Sequence, residues 1–166
     1  MRKAIYSLIL ITHGCVWCAS SATSQPSTSD HQAEVDDVRL VIDALFDGMR
    51  SGDSSAVRAV LHPDARFMTT LIRNGTPILH EGGVDGFVEA VGAPHEQMWD
   101  ERIRNVTIQV DGLLAAGWMD YAFFLGDGFS HCGVNAMQFF KAADGWKVIQ
   151  ITDTRRSQGC DLPDDL

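Results

Sequence analysis

No apolar run in this sequence is long enough to cross a bilayer: the leading run, Ala4 to Ile11, falls far short of the roughly 20 residues a spanning helix needs. Positive charge is scarce as well. Thirteen Lys and Arg face 22 Asp and Glu, a net charge of −9, so repulsion disfavours nucleic acid and anionic membrane surfaces as partners. No histidine pair has an HExxH-type spacing, since His80-Glu81, His95 and His131 stand apart, and neither a metal nor a cofactor is expected. No glycine-rich phosphate loop follows a strand, and Ser130 beside His131 lacks a nucleophile elbow. Nucleotide-binding and serine-hydrolase chemistry are thereby excluded. Cysteine is rare too, with four in 166 residues.

What is present begins with MRKAIYSLILITHGCVWCASSA, a basic start, a short apolar run and small residues, the layout of a secretory signal peptide over residues 1–22. Its removal leaves 144 residues (166 − 22) and takes the net charge from −9 to −11, because Arg2 and Lys3 depart with no acid. That length suits one domain with a real core. The expected organisation is a flexible linker over 23–32, a single domain over 33–160 and a tail over 161–166, in a protein exported to the periplasm or beyond. Cys15 and Cys18 leave with the leader. Cys132 and Cys160 remain, and an oxidising compartment favours a disulfide between them.

Apolar residues recur at helical spacing from Ala33 to Met49, among them Val38, Leu40, Val41 and Leu45, and Gly52 follows as a stop. A second helix, 54–61, is closed by His62-Pro63. Residues 65–73 and 77–80 flank Asn74-Gly75 as a hairpin, and Gly83 to Val91 reads as a third helix. Strands over 102–110, 113–125, 129–141 and 146–156 then follow through Asp111-Gly112, Gly126-Asp127-Gly128 and Ala143-Asp144-Gly145. This order predicts an α+β fold ending in an antiparallel meander. Asn74-Gly75-Thr76 and Asn105-Val106-Thr107 match the glycosylation pattern, which carries weight only in a eukaryotic source.

Turn lengths set register, and register sets which side chains share a face. With a two-residue turn at Asp111-Gly112 and three-residue turns after it, Val106 faces Gly117, Phe123 faces His131, Tyr121 faces Gly133, and Met119 faces Asn135. Asn135 in turn faces Asp153, and Gly133 faces Arg155. One face collects Val106, Ile108, Val110, Leu113, Met119, Phe123, Met137, Phe139, Ile149 and Ile151 as core. On that same face lie Tyr121, His131, Asn135, Asp153 and Arg155, with Gly133 leaving an empty place among them. Ionisable groups on a core face are costly unless they satisfy one another or line a wet or occupied cavity. A pocket with an apolar floor and a polar mouth is therefore expected, holding a small molecule. Asn135, Arg155, Gly133, Met119 and Phe123 are its candidate ligand-binding residues. In a catalytic version Asp153 is the base, with His131 and Tyr121 as proton donors or oxyanion stabilisers and Arg155 holding an anionic group of the substrate; a plain hydrogen-bonded network remains open. The opposite face, with Trp118, Phe124, Val134, Phe140, Trp146 and Val148, is a candidate homodimer interface.

Over residues 33–156 the chain resembles the nuclear transport factor 2-like superfamily. The tail FSHCGVNAMQFFKAADGWKVIQITDTRR is similar to its SnoaL-like and lumazine-binding branch. The resemblance implies a cystatin-like α+β roll, a cone-shaped curved antiparallel sheet wrapped around three helices. The superfamily holds isomerases, dehydratases, cyclases and hydrolases beside members that only bind, so it implies architecture and leaves enzyme status open.

Overall fold

The computed structural model describes residues 28–161; the expected leader, the first part of the linker and the tail beyond Asp161 lie outside them. The first helix, α1 (Thr28–Ser51), begins inside the expected linker. Thr28, Ser29 and Asp30 look turn-like in sequence, but such residues also suit a helix start, where Asp30 in the first turn meets the positive end of the helix dipole. The helix buries Val38, Ile42, Leu45, Phe46 and Met49, whereas Leu40, expected on that face, is exposed. Asp53 caps α2 (Ser54–Val60), its carboxylate accepting from the backbone N–H groups of Ser55 and Ala56 at 3.0 and 2.9 Å.

Next come β1 (Leu61–Arg73), β2 (Thr76–Gly83), α3 (Val84–Gly92), β3 (Trp99–Asp111), β4 (Leu114–Leu125), β5 (Gly128–Ala142) and β6 (Gly145–Arg155). They form one sheet in the order β2-β1-β6-β5-β4-β3. Every junction is antiparallel except β1 with β6, which is parallel. An all-antiparallel sheet is thus corrected to a mixed one: the β1–β2 hairpin joins the meander along the free edge of β6. The three helices cover one face, and Val57, Val88, Val91, Met119, Met137, Phe139 and Val148 fill the space between the layers.

The expected pairs Phe123–His131, Tyr121–Gly133, Met119–Asn135 and Asn135–Asp153 are all present. Their turns are shorter than expected, however, and bulges make up the difference. Leu125 pairs Gly128 and Ala142 pairs Gly145, leaving two-residue turns, with Ser130 and Ile149 as the extra residues. The bulge at Ile149 reverses facing along the start of β6. Trp146 and Val148, assigned to the outer face, therefore point into the core. Gly117 pairs with Ile108 rather than Val106, and Leu113, expected in the core, sits exposed in the turn.

A further bulge decides the site. Arg104 pairs Asp120 and Thr107 pairs Trp118, so Asn105 and Val106 together stand opposite Met119. Asn105 adopts φ 52°, a left-handed conformation that asparagine tolerates better than most residues, and its amide donates to Asp120 at 2.7 Å. Beyond this point β3 reverses its facing, so that Ile103 and Glu101 share the inner face with Tyr121 and Phe123.

Candidate functional site

A cavity of about 150 Å³ lies between the sheet and the helices. Leu45, Phe46 and Met49 of α1, Phe87 of α3, Phe67 of β1 and Ile151 of β6 make its apolar wall. The polar wall is built by alternation on separate strands: Thr69 from β1, Glu101 from β3, Tyr121 from β4, Asn135 from β5, and Asp153 and Arg155 from β6.

Asp153, nearly buried, is the centre of this wall. It accepts from the Thr69 hydroxyl at 2.5 Å and from the Tyr121 hydroxyl at 3.1 Å, and the Arg155 Nε stands 3.5 Å away. The Tyr121 hydroxyl also lies 2.9 Å from the carbonyl of Thr154, so its single hydrogen is committed to one of these two acceptors. Burial, with Asp153 and Glu101 nearby, pushes the phenol's pKa up. Tyr121 therefore braces the end of β6, through Asp153 or the Thr154 carbonyl, and offers the cavity a lone pair rather than a proton.

Glu101 was missed by sequence reasoning, which began the strand at 102 and carried one alternation through it. Asn135 donates to its carboxylate at 2.7 Å. Burial, reinforced by the Asp153 charge, outweighs that hydrogen bond and Arg155 and raises its pKa from 4.5 to about 7. The phase change from Ile103 to Val106, Ile108 and Val110, with an asparagine between, was the available signal.

Asp153, Tyr121, Asn135 and Arg155 thus meet at the cavity, while the other expected residues stand behind or beside it. His131 stacks on Phe123 with ring centroids 4.9 Å apart, meets the Tyr121 ring edge-on at 5.7 Å, and bonds the Ser130 hydroxyl. Burial, then the charge of Arg155, lowers its pKa to about 4, so the ring is neutral at pH 7. Met119 is fully buried in the core. Phe123 lies between His131 and Trp99. Gly133 leaves no empty place: a Cβ there would come within 1.8 Å of the Thr154 carbonyl oxygen and 2.7 Å of the Tyr121 ring. Glycine lets β5 and the end of β6 approach so closely.

Cys132 and Cys160 form the expected disulfide, with Cα atoms 6.0 Å apart. Cys132 and Arg156 also exchange backbone hydrogen bonds at 2.9 and 3.0 Å. The chain just past Arg155 is thereby fastened to β5 beside Gly133. Among the described residues, no three His, Cys, Asp or Glu side chains group as a metal site, and no helix is long and apolar enough to cross a membrane.

A family described as "Putative lumazine-binding" matches residues 33–152. The chain belongs to that family. Its fold is the nuclear transport factor 2-like, cystatin-like α+β one. It is similar to a protein of that kind with a cystatin-like fold from Novosphingobium aromaticivorans, at 13% identity and a TM-score of 0.61, over 82% of this chain and 95% of that one. It is also similar to a superfamily protein from Salmonella enterica serovar Typhimurium, at 12% identity and a TM-score of 0.61, over 78% and 95%. A "putative dehydratase" of the same fold from Streptomyces avermitilis aligns at 17% identity and a TM-score of 0.57, over 76% and 99%. At such identities the likeness concerns fold alone. No curated protein matches the sequence.

Proposed function

We propose that this chain is an exported binding protein that holds a small, partly apolar molecule in the cavity beneath α1. One observation carries the reading: polar side chains from five strands converge on one wall of an otherwise apolar cavity of about 150 Å³. That combination, an apolar body with a few placed polar groups, is the usual make-up of a ligand site. Export is supported by the leader-like first 22 residues and by the Cys132–Cys160 disulfide, a bond that persists in oxidising compartments. Pairing of two copies through the outer sheet face is supported by exposed Trp118, Phe140 and Leu114.

A second reading, general acid–base catalysis, is favoured by Glu101. A carboxyl whose pKa stands at about 7 can both take and return a proton at neutral pH. In this reading Glu101 is the proton carrier, Asp153 and Asn135 orient the substrate, and neutral His131 stays outside the reaction.

Native mass spectrometry of the purified protein, followed by identification of any released molecule, tests the binding reading. The expected result is one small molecule per chain, lost in Asp153→Asn and in Phe87→Asp. An empty protein, with no melting shift across a broad metabolite panel, would oppose it.

A further inference from the structure

We propose that the ligand of this cavity carries a positive charge at its polar end, as a small organic ammonium seated against Glu101 and Asp153, with its apolar body on Phe46, Phe67 and Phe87. The inference rests on the binding reading above and names the class of molecule.

Charge within the cavity is unbalanced. Two carboxylates line it, Glu101 and Asp153, against one guanidinium, Arg155, whose side chain is 49% exposed and 3.5 Å from Asp153. Every other donor to those carboxylates is neutral: hydroxyls of Thr69 and Tyr121 on Asp153, and the amide of Asn135 on Glu101. Among the described residues, no cation comes within ion-pair distance of Glu101. The two arginines that line a neighbouring hollow with Glu101 are committed elsewhere: Arg50 and Arg102 both bind Asp100 at 2.7 Å, and Arg50 also binds Asp47.

Two like charges facing one low-dielectric space repel, and a cation placed between them converts that cost into attraction. The three phenylalanines suit the same ligand, because aromatic faces attract ammonium groups as well as apolar carbon. Phe67 and Phe87 stand 4.9 Å apart and form a continuous aromatic surface. The protein's net charge of −9 would draw cations toward it from solution.

A dependence on pH follows. A cation binds best once Glu101 has lost its proton, so affinity rises as pH passes upward through about 7. Asp153 and Arg155 of β6 share the cavity wall with Glu101, and Asp47, Arg50 and Arg102 line a neighbouring hollow on its other side. Tyr121 stays protonated, and His131, at about 4, stays neutral.

Calorimetric titration with benzylamine, benzyl alcohol and benzoate at pH 6 and pH 8 tests the inference, because the three share a body and differ in charge. Benzylamine should bind at least tenfold more tightly than the alcohol at pH 8, and several-fold more tightly at pH 8 than at pH 6. Benzoate should bind least. Glu101→Gln should abolish the preference for amine while the alcohol still binds. Alcohol or benzoate binding as tightly as amine would overturn the cationic ligand and leave the cavity reading intact. Failure of all three probes to bind would also overturn the cationic ligand, whereas the binding reading falls only with an empty protein in native mass spectrometry. Should Glu101→Gln not fold, benzylamine against benzyl alcohol on the unaltered protein still decides the matter.

Discussion

Glu101 concentrates the energetics of the pocket. Its carboxyl has a folded pKa of about 7 against an ordinary 4.5. Between those values the folded chain holds a proton that the unfolded chain has released, so stability falls as pH rises from about 4.5 to about 7 and stays low above. The cost is at most about 3 kcal/mol, and less to the extent that water reaches the carboxyl. Glu101→Gln keeps an acceptor for Asn135 and removes the charge. Urea unfolding at pH 5 and pH 8 should show the loss in the unaltered protein and its near disappearance in the variant; an unchanged loss would assign it to other groups. His131 acts with the opposite sign. Its folded pKa of about 4 lies below its ordinary 6.5, so its contribution is complete above about 6.5 and is lost as pH falls toward 4. His131→Gln should flatten that acid limb of the same unfolding profile.

Within the strands, local chemistry both revealed the fold and concealed part of the site. Helices, the places of the turns and the succession of strands along the chain were legible because apolar spacing and turn residues such as Asn74-Gly75 act locally. Alternation also placed Tyr121, Asn135, Asp153 and Arg155 on one face. Bulges hid the rest, since one extra residue reverses every side chain beyond it. Asn105 hid Glu101 in this way, and Ile149 hid the inward turn of Trp146 and Val148. The parallel junction of β1 with β6 was not legible either, because no short turn connects them. At the end of β6 the disulfide spans 28 residues of sequence, and a loop of that size should be worth about 3.5 kcal/mol. A Cys132→Ala/Cys160→Ala variant should lose stability of that order in urea. It should also free the chain that holds Arg155, the second cause of the shift after burial, so that the His131 pKa, followed by proton NMR, rises above about 4. A His131 pKa that stays put would separate the disulfide from the pocket.

For the molecule as a whole, one sheet serves two surfaces. Its inner face meets the helices and lines the cavity, while its outer face leaves Trp118 57% exposed, with Phe140 and Leu114 also accessible. If two copies pair there, light scattering should give twice the chain mass for the unaltered protein and a single chain mass for Trp118→Asp. A monomer at every concentration would leave that face without a second copy. Both surfaces depend on the same facing pattern, and Glu101 is where it is most exposed to test. Carbon-detected NMR titration of the Glu101 side-chain carboxyl reads its surroundings directly. A midpoint near 7 is the predicted result; a midpoint near the ordinary 4.5 would place the carboxylate in water and contradict an inward-facing acid in this cavity.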